Sequence, residues 1–224
     1  MSILIKNATV LTQNANRDVI HNCDIFVNGS TIEVVGRKLD VNSQLPKADI
    51  LIDAKNKIAL PGLINAHTHS AMTVLRGYGE GLPLQRWLKE KIWPAEAKLT
   101  KEQIYYGTLL GICEMLRSGI TCFIDMYITG LDEMAKACEV AGIRASLSDA
   151  VIDMPGHDLK RALSFVKKWK SSKLVIPHIS CHSIYACEEE MLIAARPTIT
   201  FLKKLGVLDY RIARDIFSQA GVEV

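Results

Sequence analysis

After Pro61-Gly62 the chain alternates short apolar runs with helix-patterned stretches, and no other feature constrains its fold as strongly. Gly62–Ala66, Ile120–Asp125, Ile143–Leu147 and Leu174–Ser180 read as strands. The helix opened by Thr100 carries a T-x-x-Q capping box to Gln103 and stops at Ser118-Gly119. Leu131–Val140 and Leu159–Trp169 read as further helices, and another begins over Glu188–Ala195. Strand-then-helix units with mostly apolar strands predict a parallel sheet with helices outside it. A closed (β/α)₈ barrel takes about 250 residues, more than follow position 60, and the rhythm fades near Ala195. As an open sheet, the four strands need cover at both edges.

The first 60 residues read differently. Ile3–Leu11, Asp24–Val27, Thr31–Gly36 and Ile50–Ile52 are strand-like, and Leu39–Ala48 is loop-like. Val27-Asn28-Gly29-Ser30 predicts a hairpin of type I′ with Asn-Gly at its tip.

With 49% hydrophobic and 23% charged residues the chain is ordinary globular material. Lys plus Arg exceed Asp plus Glu by only 27 to 24, which argues against nucleic-acid or membrane-surface partners. The basic run Lys167, Lys168, Lys170 and Lys173 around Trp169 reads as a solvated helix face. No stretch offers the roughly 18 apolar residues of a membrane span, and Met1–Lys6 lacks the pattern of a signal peptide. Six cysteines without a C-x-x-C pair, mostly in apolar stretches, read as buried thiols. The expectation is a soluble cytoplasmic protein. G-x-S-x-G, P-loop and G-x-G-x-x-G patterns are absent, which weakens serine-hydrolase, phosphate-loop and Rossmann readings.

The chemistry concentrates at His67-Thr68-His69, after the strand-like Gly62–Ala66. Residues two apart on a strand share a face, and barrel enzymes keep their sites at the C-terminal ends of strands. Two readings stay open on the residues alone: half of a zinc site, or two partly exposed strand-end histidines. Glu96 is a lone carboxylate after Trp93-Pro94, and Asp125 either faces a site or makes a cap or turn bond. Of His178 and His182, one facing the site is plausible; His21 and His157 sit in polar loops. Ile104, Leu109, Ile112 and Leu116 read as helix core.

Pro61 to His69, Met72-Thr73 and Leu75-Arg76-Gly77 resemble the amidohydrolase superfamily, in its cytosolic aminohydrolase branch. Trp87-Leu88, Lys91 to Glu96, Tyr105 to Gly111 and Thr121 to Tyr127 are similar to archaeal deaminases of 5′-methylthioadenosine and S-adenosylhomocysteine, a group that includes 5′-deoxyadenosine deaminase. The resemblance runs from about residue 3 to 195. It implies an α/β fold: a metal-dependent (β/α)₈ hydrolase barrel of which about the first half is present, with N-terminal strands of a small composite β-sandwich. The divisions it implies are 1–60 for the sandwich strands, 61–195 for the half-barrel and 196–224 for an out-of-register remainder. Segments are expected to be missing near 195/196 and 210/211.

By the same resemblance His67 and His69 are the first two metal ligands, Glu96 contacts the nucleoside sugar and His182 contacts substrate. The metal implied is divalent, zinc foremost, with Fe²⁺, Mn²⁺ or Co²⁺ as alternatives. The implied partners are a nucleoside substrate and further copies of the chain, with no nucleic acid or membrane. No counterpart is identifiable for the family's third histidine ligand, catalytic glutamate, later histidine or aspartate ligand. No residue is therefore assigned a proton-transfer role, and the 224-residue chain as written is expected to be inactive. Asp149 and Asp158 stand where some relatives carry arginines, which leaves the 5′ substituent open. The alternatives are a guanine-deaminase or triazine-hydrolase type of amidohydrolase, and a non-catalytic half-barrel module.

Overall fold

The structure, a computed structural model, describes residues 1–37, 48–183 and 186–193. Most of the expected loop 39–48, Ile184 and Tyr185, and everything from 194 on lie outside the described residues, including the 196–224 remainder and both expected junctions. The chain divides into two compact units, Met1–Gly62 and Leu63 onward.

The first unit is a sheet of β1 (Ser2–Leu11), β2 (Val19–Asn28), β3 (Thr31–Arg37), β4 (Ile50–Asp53) and β5 (Ile58–Ala59). Its order is β3-β2-β1-β4, with β5 also on β1. Ala8, Val10, Cys23, Ile25 and Ala54 form its core. The hairpin lies where expected but turns one residue later. Asn28 pairs with Thr31, so Gly29-Ser30 is the two-residue loop. Only Gly29 has a positive φ (58°) there. A single left-handed residue at the first central position is the pattern of a II′ turn, not I′.

The second unit holds β6 (Leu63–Thr68), β7 (Ile120–Tyr127), β8 (Arg144–Val151) and β9 (Val175–Cys181), all parallel in that order. Their helices are α3 (Lys101–Arg117), α4 (Leu131–Ala141) and α5 (Leu159–Trp169), with residues 189–193 also helical. The strands are longer than their apolar runs suggest. β6 extends to Thr68 and so contains His67, while β7 and β8 run on through Met126–Tyr127 and Ser148–Val151. Backbone pairing with neighbours carries polar residues into the ladder that hydrophobicity alone leaves out.

The core lies between sheet and helices, with Ile104, Ile112, Phe123, Met134, Leu147 and Trp169 at its centre. The opposite face carries Ile64 and Ile176, which are exposed. The capping box forms as expected: Gln103 N–H donates to Thr100 Oγ1 at 3.2 Å, and Thr100 N–H donates to Gln103 Oε1 at 2.9 Å. The expected stripe on α3 needs one correction. Leu116 is exposed, and Met115 with Gly107 and Gly111 takes the buried face. Cys113 is likewise exposed, contrary to a set of buried thiols.

Candidate active site

The 3₁₀ turn Ser70–Leu75 follows β6 directly and seats against α3. Gly107 and Gly111 make that seat possible. A methyl at Gly107 would stand 2.6 Å from the Ala71 carbonyl oxygen, and one at Gly111 3.3 Å from that of Ser70. Thr73 adds a hydroxyl bond to the Gly107 carbonyl at 2.5 Å.

His69 is the hinge between strand and turn, at φ −130° and ψ 70°. Its Nδ1 lies 2.8 Å from the Met126 carbonyl oxygen on β7. A carbonyl only accepts, so Nδ1 carries the proton and Nε2 keeps its lone pair. The His67 ring stands edge-on to it, centroids 5.2 Å apart. Burial, above all, lowers the His69 pKa, and the neighbouring His67 adds to this against the Met126 bond. A neutral imidazole oriented by a backbone carbonyl is the state that metal ligation requires. The pair therefore suits metal coordination. Among the described residues, no cluster of three or more His, Cys, Asp or Glu side chains is assembled to hold an ion.

Ser70 is fixed from β7 as well. Asp125 Oδ2 accepts its backbone N–H at 2.7 Å and its hydroxyl at 2.6 Å. Asp125 is 1% exposed, and its Oδ1 is buried without a hydrogen-bond partner among the described residues. Burial pushes its pKa up to about 7, although the Ser70 bonds pull the other way.

Glu96 reaches the same pocket along a different route. Leu84–Trp87 (α1) and Trp93–Glu96 (α2) are joined by a π-helical segment, Leu88–Ile92. The Trp93 N–H donates to the Leu88 carbonyl five residues back. Pro94 has no N–H for the Glu90 carbonyl and its ring crowds that oxygen, which accounts for the widened turn just before it. Glu96 is consequently 6% exposed, and burial raises its pKa. The Tyr127 hydroxyl is buried beside it; desolvation first and the Glu96 charge second push that phenol up.

His69, Glu96, Tyr127 and His182 line one pocket of about 110 Å³, walled by Trp87, Trp93, Met126 and Ile152. A cleft of about 530 Å³ adjoins it through Leu88, Trp93, Ile152 and His182. His182 is positioned by its N–H, which donates to the Val151 carbonyl at 2.9 Å. Burial and then the nearby His69 lower its pKa.

Of the residues the sequence singles out, His69, Glu96 and His182 thus meet at one pocket; His67 does not line it but stands edge-on to His69. His178 does not join them: its Nδ1 lies 3.1 Å from Ser146 Oγ on β8, and burial lowers its pKa to about 4. His21 lies near Thr9 in the first unit. Asp149 is buried against Arg161, which grips both carboxylate oxygens and also donates to the Ile128 carbonyl at 2.9 Å. Asp158 caps α5 through the Arg161 N–H at 2.9 Å. Sequence reasoning missed Tyr127, Ser70 and the Met126 carbonyl. A carbonyl has no sequence signature, and Tyr127 stands in the sequence only as the end of the segment Thr121 to Tyr127.

Comparison with known proteins places the chain within a family. Residues 58–203 match the Amidohydrolase family, and the chain belongs to it. It is 41% identical over 197 residues to a 5-methylthioadenosine/S-adenosylhomocysteine deaminase of Dictyoglomus turgidum, covering 86% of this chain and 44% of the relative. It is also 41% identical over 194 residues to a 5′-deoxyadenosine deaminase of Methanothrix thermoacetophila, covering 87% and 45%. Among solved structures, an adenosine deaminase from Xanthomonas campestris with bound zinc superposes with TM-score 0.81 at 29% identity, covering 90% of this chain and 47% of that one. The chain spans somewhat under half the length of these relatives. Its parallel four-stranded unit is accordingly part of a hydrolase barrel.

Proposed function

We propose that this is the chain of a metal-dependent aminohydrolase that converts 5′-modified adenosines and water to the inosine analogues and ammonia. Methylthioadenosine, S-adenosylhomocysteine and 5′-deoxyadenosine are the candidate substrates. The observation that carries the reading is the meeting of an oriented, neutral His69 with a buried carboxylate, Glu96, in one aromatic-walled pocket. The names of relatives at 41% identity support it.

In this reading His67 and His69 hold a divalent metal, zinc foremost. Such an ion acidifies water and supplies a nucleophile at neutral pH. Glu96 accepts hydrogen bonds from the ribose hydroxyls, a task for which a buried acceptor in an apolar wall is selective, because a base lacking the sugar leaves it unpaired. His182, kept neutral, offers a hydrogen bond to the substrate. The indole walls of Trp87 and Trp93 enclose the nucleoside and exclude water. A cytoplasmic location and a homo-oligomeric state go with the reading.

A catalytic zinc site takes three protein ligands and an open position. The 224-residue polypeptide, with His67 and His69 alone among its described residues, is accordingly expected to bind nucleoside without turning it over. The test compares binding of 5′-methylthioadenosine, 5′-deoxyadenosine and free guanine, with ammonia release followed in parallel. The nucleosides should bind at least tenfold more tightly than guanine, and Glu96→Gln should erase most of that preference. Guanine binding equal to the nucleosides, or a preference indifferent to Glu96, would contradict the substrate assignment. Metal-dependent ammonia release by the purified chain would overturn its expected inactivity.

A further inference from the structure

Asp125 is a buried carboxylate that the deaminase reading does not use. It is buried, and among the described residues it is not half of an ion pair. Among the described residues, its hydrogen bonds run through Oδ2 to one residue, Ser70, and its other oxygen is buried without a partner. Ser70 is the residue immediately after His69 and the first of the 3₁₀ turn, whose N-cap, His69, makes no side-chain cap bond. The carboxylate on β7 therefore caps that turn from a neighbouring strand. The next residue of β7, Met126, holds the His69 ring through its carbonyl. Two consecutive residues of one strand thus grip the His69–Ser70 step, one by its backbone and the other by its ring. From the far side, α3 presses on the same turn through Gly107 and Gly111.

We propose that Asp125 is a positioning residue: by anchoring Ser70 it places the His69 imidazole against the Met126 carbonyl, so that Nε2 faces the site as a free ligand. The proposal rests on reading His69 as a metal ligand. What the geometry demands of residue 125 is an acceptor oxygen at the Oδ2 position, not a charge. An amide oxygen meets that demand, and an alanine does not.

The test uses the 224-residue chain and two readouts. Long-range ¹⁵N–¹H correlation spectra report the His69 tautomer without any metal. Titration with Co²⁺, followed by its visible absorption, reports ligation. In the parent chain His69 should be protonated at Nδ1. In Asp125→Ala it should pass to a mixture dominated by the Nε2–H form that free imidazole prefers, and cobalt should bind 10- to 100-fold more weakly, the usual cost of losing a group that orients a ligand. Asp125→Asn should restore both readouts to within a few-fold. Ser70→Ala keeps the N–H bond and loses only the hydroxyl bond, so its effect should fall between these.

A folded Asp125→Ala chain with an unchanged His69 spectrum overturns the proposal. So does an asparagine variant as damaged as the alanine variant. Should the alanine variant not fold, Ser70→Ala decides: an unchanged cobalt affinity there also overturns it. If the parent chain binds no cobalt, the metal reading fails, while the His69 spectra still decide the positioning role.

Discussion

Asp125 and Asp149 sit on adjacent parallel strands, share a face of the sheet and are both buried, yet they are held in opposite ways. Asp149 has a guanidinium: Arg161 clasps both oxygens and ties the pair to the Ile128 carbonyl. Burial raises its pKa, and Arg161 opposes that rise. Among the described residues Asp125 meets only the neutral donors of Ser70, so desolvation goes largely unanswered and its pKa climbs to about 7. The difference separates two uses of a buried acid. One is half of an ion pair that fastens α5 to the sheet. The other is an acceptor beside the histidines, where a cation would compete with a metal ion.

Removing the partner cation should therefore have the largest consequence. Arg161→Ala leaves a buried carboxylate uncompensated and is expected to cost about 3 kcal/mol in urea denaturation. Asp125→Asn, with no cation to lose, should cost under about 1 kcal/mol, as a shape-conserving change that keeps its acceptor. Equal costs for the two would erase the contrast. Next in size is Gly107→Ala, whose methyl would stand 2.6 Å from the Ala71 carbonyl. Overpacking of that kind costs about 1–3 kcal/mol. The same denaturation series measures it, and the loss should be accompanied by altered His69 resonances, since the turn it displaces begins at Ser70.

The two acids also separate by pH. An aspartate ordinarily titrates near 3.9, and Asp125 in the folded chain titrates at about 7. Between those values the folded state holds the extra proton, so stability falls as pH rises from about 4 to about 7. In Asp125→Asn that part of the decline should vanish, which denaturation midpoints at pH 5 and pH 7 would show. A parent chain equally stable at both values, with no compensating titration, would contradict the assignment.

Much of the framework was legible in the sequence because it depends on local signals. Thr100 with Gln103 marks a helix start, Ser118-Gly119 its end, and apolar runs mark strands that helices cover. His67 and His69 were found because a two-residue spacing puts side chains on one face. What was not legible depends on pairing between strands. The carboxylate of Asp125 could have faced a site or made a turn bond, and the turn bond is what formed. The Met126 carbonyl that orients His69 is invisible in any sequence, and so is the hairpin's exact register. Leu116 departs from the expected stripe because α3 packs on the 3₁₀ turn through Gly107 and Gly111, a face that Met115 continues and Leu116 does not.

The central claim is that His67 and His69 form the metal-binding edge of the pocket. Zinc titrated into the chain, with all six histidines followed by their ring ¹⁵N resonances, tests it most directly. The account predicts the largest shifts at His67 and His69, with His69 changing at Nε2 while Nδ1 stays protonated toward Met126. Shifts concentrated at His178, His157 or His21, with these two rings unmoved, would contradict it.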